Sequence, residues 1–144
     1  MTTMTRNCWL VVVDGDGAMI LENAGTVSAP DLRVIDRIST PGSEGAADRL
    51  SYGARAGGAE ASDRARLAET AMVAMLMTRL SFAVRQSRTS RLAIAAPPHL
   101  LEAIRTRLDD NLRGRVVIML PKTLTHKPLE QVVTVINDAM LRAA

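Results

Sequence analysis

The run Cys8-Trp9-Leu10-Val11-Val12-Val13 is apolar at every position and stops at Asp14-Gly15-Asp16-Gly17. Successive side chains of a strand point to opposite faces, so an unbroken apolar run needs cover above and below it. The three valines favour extended backbone. This segment therefore belongs in the middle of a sheet, with other elements packed on both faces. The Asp-Gly-Asp-Gly stretch is turn chemistry, in which glycine can supply positive φ. Ala18-Met19-Ile20-Leu21-Glu22 then reads as the return strand of a hairpin.

Beyond Asn23-Ala24-Gly25 and Pro30, the stretch Leu32-Arg33-Val34-Ile35-Asp36-Arg37-Ile38 comes close to alternation. A third strand with one exposed face, near a sheet edge, fits that pattern. Residues 39–62 have no usable period and hold five of the nine glycines, which reads as a long flexible loop. A helix is expected over 63–85, rich in Ala, Leu and Met, with Asp63 as a capping residue. Leu67, Ala71, Met75 and Phe82 share one stripe, widened by Met72, Leu76 and Leu80, which predicts deep burial. Leu92-Ala93-Ile94-Ala95-Ala96 is a fourth strand, closed by Pro97-Pro98, where Pro can open a helix. That helix, with Leu101, Ile104 and Leu108 on one face, runs to Asp109. Arg115-Val116-Val117-Ile118-Met119-Leu120 is a fifth strand, and Pro128 opens a last helix with Leu129, Val132, Val133, Ile136 and Met140 on one face. Val132 to Ile136 would also pass as a strand; Pro128, Glu130 and the helical spacing decide for a helix.

The order β-β-β-α-β-α-β-α implies an α/β fold with a five-stranded mixed sheet. It matches a ribonuclease-H-like layout, with strands four and five parallel to strand one. The 144 residues suit a single domain over 1–144, and a domain of that size buries roughly 70% of its unfolded surface without disulfide or metal. One cysteine excludes an internal disulfide framework. Residues 67–84 are apolar enough to raise the question of a membrane span. Glu69 and Arg79 within them would each cost roughly 2.5–3.5 kcal/mol at a bilayer centre. A buried core helix, no membrane insertion and a cytoplasmic location are the expectation.

Charge is uneven. The net charge is +3, from sixteen Arg, two Lys and fifteen acids. Residues 1–48 carry −4, residues 49–91 carry +5 and the remainder +2. Arg79, Arg85, Arg88 and Arg91 follow one another without an acid between them, and Arg113 and Arg115 precede the fifth strand. If strands four and five are neighbours, these groups meet at the edge where the strands begin. One positive patch there would suit RNA phosphates, because guanidinium donates two parallel hydrogen bonds; plain solvation of the surface is the competing reading. Trp9, Tyr52 and Phe82 are the only aromatics. Base stacking is thus excluded as the main mode, leaving backbone contacts of weak sequence preference.

Several segments resemble a known family. Leu92-Ala93-Ile94-Ala95-Ala96-Pro97-Pro98-His99-Leu100-Leu101 resembles the "VAPP-x-x-L" segment of the bacterial host attachment protein family. Leu124-Thr125-His126-Lys127-Pro128-Leu129 resembles its "DLTH-x-P" segment, and Trp9 through Asn23 its N-terminal hairpin. The resemblance spans nearly the whole chain. It implies a role in attachment to host cells and kinship with the middle domain of archaeal and eukaryotic peptide chain release factors. The chain departs from the family pattern at Pro121-Lys122-Thr123, which lacks the two acids often found around that Lys, and at Asp63-Arg64-Ala65, which replaces an Asp-aromatic-His group. Release factors carry Gly-Gly-Gln on the loop before the long helix; this chain has Gly57-Gly58-Ala59. Alanine has no amide to position a hydrolytic water.

A ribonuclease-H site needs carboxylates converging at strand ends around two metals. Asp14 ends strand one, and Glu60 or Glu69 could approach, but strand four ends in Ala95-Ala96-Pro97. Asp14 and Asp16 read better as turn residues. Lys122, Thr125 and His126 lie in the loop after strand five, on the side of an α/β sheet where ligands bind, and form a candidate anion or partner site. The competing role for Thr125 is to steady the loop before Pro128. His99 reads as an exposed first-turn residue and Cys8 as a buried small hydrophobe. No catalytic residue, metal site or cofactor is assigned. The expected function is a non-enzymatic binding domain associated with RNA or the ribosome. A divergent hydrolase of RNA or peptidyl-tRNA and a protein-interaction module remain as alternatives.

Overall fold

The computed structural model describes residues 5–42 and 59–143. Most of the expected loop over 39–62, namely residues 43–58, lies outside the described residues, as do Gly57 and Gly58. The hairpin consists of β1 (Trp9–Asp14) and β2 (Gly17–Asn23), followed by β3 (Leu32–Ser39) and the long helix α1 (Ala59–Arg85). Then come β4 (Leu92–Ala95), α2 (Pro98–Arg107), the short α3 (Asp110–Arg113), β5 (Val116–Leu120) and α4 (Leu129–Ala143). The sheet order is β3-β2-β1-β4-β5. The β1–β2 and β2–β3 pairs are antiparallel, and β1–β4 and β4–β5 are parallel. This is the expected ribonuclease-H-like order, with β1 at the centre.

The apolar run does what its pattern requires. Trp9, Val11 and Val13 join one core layer with Met72, Leu76 and Leu80 of α1 and Ile104 of α2. Cys8, Leu10 and Val12 join the other, with Leu124 of the loop after β5 and Val132, Ile136 and Met140 of α4. The segment Val132–Ile136 is thus helical, as its spacing implied. Burial pushes the Cys8 thiol up to about 11, despite the nearby Arg91 charge, so it is an inert core residue.

Gly17 is required by close approach. A Cβ there would lie 2.1 Å from the carbonyl oxygen of Ile38 on β3. Gly15, at the tip, takes no left-handed conformation. Behind the hairpin, the buried Asn23 amide holds the β2–β3 connection together. Its Oδ1 accepts from the backbone of Gly25 and Asp31, each at 2.9 Å, and its Nδ2 donates to the carbonyls of Thr5 and Thr26.

Three expectations need correction. Helix α1 starts at Ala59 rather than Asp63, because Ala59-Glu60-Ala61-Ser62 contains nothing that breaks a helix. Its buried face is Met72, Val73, Leu76, Met77, Leu80, Ala83 and Val84, whereas Leu67 is 70%, Met75 41% and Phe82 53% exposed. Two apolar rows at i, i+4 spacing lie side by side, and the sheet with α2 and α3 covers only one of them. By length and composition Asp63–Arg85 could cross a bilayer, yet its covered row packs on the sheet. Finally, the helix after β4 ends at Arg107. Leu108 is extended, and the Asp109 carboxylate accepts from the backbone N–H of Leu112 at 2.7 Å to cap a separate turn, α3.

The two rows of α1 should separate in stability measurements. Leu80→Ala is expected to cost about 3 kcal/mol by leaving a cavity in the core. Leu67→Ala, in the uncovered row, should stay within about 0.5 kcal/mol. Urea unfolding of the two variants checks this.

Candidate functional site

At the end of the sheet where β1 and β5 finish, side chains gather around Asp14. Its Oδ1 accepts the backbone N–H of Asp16 at 2.8 Å and of Gly17 at 3.1 Å, which closes the hairpin as an Asx turn. The turn role expected for Asp14 is therefore present. Its other oxygen, Oδ2, accepts the Thr125 hydroxyl at 2.6 Å across a sequence separation of 111 residues. His126 Nε2 stands 3.6 Å from the same oxygen, with its ring 84% exposed against 17% for the Asp14 side chain. A hollow of about 330 Å³ opens beside them, lined also by Asp16, Arg37 and Ser39. Thr125 thus does steady the loop before Pro128, through a carboxylate rather than through backbone.

Lys122 does not join this cluster. It lines a separate hollow with Leu120, Pro121, Val135 and Arg142, between β5 and α4. The Lys122-Thr125-His126 grouping thus divides into two places, because residues 121–124 carry the chain from the sheet edge back toward β1. Nearer the hairpin turn, Glu69 of α1 comes within 3.5 Å of where a Gly15 Cβ would lie. Its Oε2 is 3.3 Å from Nε2 of His99, the second residue of α2. Glu69 was one of two acids, with Glu60, that could approach the β1 end; its pairing with His99 had no signal, since the two are 30 residues apart with no shared pattern. The side chain of Glu60 lies outside the described residues. Among the described residues no three His, Cys, Asp or Glu side chains are grouped to hold a metal ion. β4 ends at the buried Ala95, and the buried Ala96 follows it.

The opposite end of the sheet is basic. Helix α1 stops at Arg85 because Ser87 turns into the left-handed region at φ 58°, and the Arg88 N–H returns to the carbonyl of Ala83 at 2.9 Å. The carbonyl of Arg91 accepts from Trp9 N at 3.0 Å, and that of Arg115 from Leu92 N at 2.9 Å. Those bonds fix Arg91 and Arg115 at the starts of neighbouring strands. Arg85, Arg88 and Arg115 are exposed and Arg91 is half-buried. None of the four forms an ion pair among the described residues. The other two arginines are committed elsewhere. Arg79 Nη1 donates to both oxygens of Asp36 on β3, at 2.8 and 2.7 Å. Arg113 lies 3.6 Å from Asp110 and donates to the Leu108 carbonyl. Asp109 sits among these groups; the Leu112 N–H, the Ser81 hydroxyl and the Arg85 charge hold its carboxyl below the usual carboxylate range.

A family model described as bacterial archaeo-eukaryotic release factor family 12 matches residues 7–136. The match carries the release-factor side of the sequence resemblance and not the host attachment name. No curated protein matches the chain. Among solved structures, the chain is similar to Dom34 of S. cerevisiae, described as a translation termination-like factor involved in RNA quality control pathways and interacting with Hbs1. Identity is 12% and the TM-score 0.48, over 98% of this chain and 36% of that one. The chain thus spans well under half the length of that protein.

The Thr125–Asp14 bond is the tie between the hairpin and the β5–α4 loop. Thr125→Val removes the donor while keeping shape, and should destabilise by about 2 kcal/mol, as for a hydrogen bond to a charged group. Thr125→Ser, which retains the hydroxyl, should recover most of that in a thermal unfolding comparison.

Proposed function

This chain belongs to bacterial archaeo-eukaryotic release factor family 12, and we propose that it serves as a non-enzymatic RNA-binding domain associated with the ribosome. The family's release-factor description supports a setting in translation, where RNA is the abundant anionic partner. The observation that carries the reading is the group Arg85, Arg88, Arg91 and Arg115 at the strand-start end, none of which forms an ion pair among the described residues. Two of them are pinned at the backbone to adjacent strands, which fixes the neighbouring positions from which their side chains reach phosphates. Arg79 and Arg113, each already beside an acid, contribute less.

The site around Asp14 supports a non-catalytic role. One carboxylate oxygen is taken by the turn and the other by Thr125. Ala59 follows Gly57-Gly58 where a release factor has glutamine. His126, mostly exposed beside Asp14, and the hollow it lines suit an anion or partner contact secondary to the basic end. Lys122 stands apart from it. A cytoplasmic location belongs to the same reading.

Titrating single-stranded RNA at several salt concentrations tests the arginine end. Affinity should fall steeply with salt and vary little with sequence. For Arg85→Ala/Arg88→Ala/Arg91→Ala the log–log salt slope should shrink by about 2, the loss of three phosphate contacts. An unchanged slope would remove this surface from RNA binding. RNA or peptidyl-tRNA cleavage that disappears in Asp14→Asn would replace the reading with a divergent hydrolase.

A further inference from the structure

The two outer strands of the sheet are protected unequally. β3 carries Arg33, Asp36 and Arg37 among its residues, with ion pairs Arg33–Asp31 and Arg79–Asp36 across its surface. Charges of this kind guard an edge against pairing with another chain. β5, at the other edge, is Val116-Val117-Ile118-Met119-Leu120, with no charge and every residue half-buried. A register shift opposite Leu92/Ala93 inserts an extra residue, so that Val117 and Ile118 both pack toward the α4 layer. Val116 and Met119 pack toward the α1–α2 layer.

The helices overhang this edge. On one face Ile118 and Leu120 form a hollow of about 510 Å³ with Val135 and Ala139 of α4. On the other, Val116 and Met119, with Val117 and Ile118 at the strand edge, form one of about 470 Å³ with Leu108 and the stems of Arg105 and Arg113. The edge of β5 is therefore the floor of a slot with an apolar recess on each side. A strand laid along it would complete hydrogen bonds to the outer backbone and send its alternate side chains into the two recesses. A helix would satisfy neither requirement.

The ends of the slot state what charge the occupant carries. Arg115 precedes β5 and Lys122 follows it, while the α4 recess itself is bordered by both Asp138 and Arg142 and carries no net charge from them. None forms an ion pair among the described residues. A second copy of this chain, paired antiparallel, would bring Arg115 of one against Lys122 of the other, which opposes self-association. We propose that the outer edge of β5 takes an extended segment of another protein as a sixth strand, apolar along its middle and acidic at both ends. This surface shares Arg115 with the basic end, so peptide binding is tested with RNA absent and does not require RNA binding.

The probe is the peptide fluorescein-Asp-Glu-Val-Ile-Val-Ile-Val-Glu-Asp-amide, compared with a version in which Lys replaces the acids. Binding is followed by fluorescence anisotropy with no RNA present. The acidic peptide should bind, and the lysine peptide about tenfold more weakly or not at all. The variant Arg115→Glu/Lys122→Glu leaves the apolar strand untouched and should invert that preference. Amide shifts should centre on Val116 to Leu120. No binding of the acidic peptide, an unchanged preference in the variant, or shifts centred on β3 would each overturn the proposal.

Discussion

A strand with apolar side chains on both faces has to be hydrogen-bonded on both edges and covered on both sides, and β1 meets all four conditions. Its residues Trp9 to Val13 are at most 6% exposed. The hairpin partner β2 closes one edge, and β4, arriving 78 residues after Asp14 in sequence order at Leu92, closes the other in parallel. The α1–α2 layer covers Trp9, Val11 and Val13, and α4 covers Leu10 and Val12. Full burial of such a side chain contributes about 1.5–3 kcal/mol. Losing any one neighbour would therefore forfeit several of these at once. The topology follows from this strand outward.

The buried centre ends at a single carboxylate. Asp14 is the first residue past the apolar run, and it divides its two oxygens between the hairpin turn and Thr125. The final loop is thereby attached to the first turn, which sets His126 over the adjoining hollow. Below, at the strand starts, acids of the first third of the chain neutralise only part of the arginine surplus. Asp36 takes Arg79, while Arg85, Arg88 and Arg91 form no ion pair among the described residues. The sheet thus has a hydrogen-bonded polar end and a basic end, separated by the length of β1.

Much of this was legible in residue order. The six-residue apolar run, the Asp-Gly turn, the prolines at 97, 98 and 128 and the spacing of Val132, Ile136 and Met140 sufficed for the strand order and the last helix. The buried row of α1 was not legible, because Leu67, Met75 and Phe82 are as apolar as Met72, Leu76 and Leu80. Which row is covered depends on where α2 and α3 pack. Helix α3 was hidden behind Leu108, whose helical spacing continues that of Leu101 and Ile104 although Asp109 starts a new cap. At the site, residue type drew attention to Asp14 as a turn residue and to Thr125 and His126 as part of a separate loop site, yet the meeting of Asp14 with Thr125 spans 111 residues and leaves no local signature. Lys122 was placed with them by proximity in sequence alone. The arginine group was read from spacing, but the neutralisation of Arg79 by Asp36, 43 residues away, is a tertiary event.

Family membership and the basic end meet in one claim, that this domain reaches the ribosome through RNA. Its most direct test is sedimentation of a cell lysate containing the tagged chain, at low salt, with and without ribonuclease treatment that degrades accessible RNA. The account predicts that the chain travels with ribosomal particles, is released by ribonuclease or raised salt, and is depleted from them in Arg85→Ala/Arg88→Ala/Arg91→Ala. A chain that stays at the top of the gradient at low salt, or one whose co-sedimentation ignores ribonuclease, salt and the arginines, would contradict it.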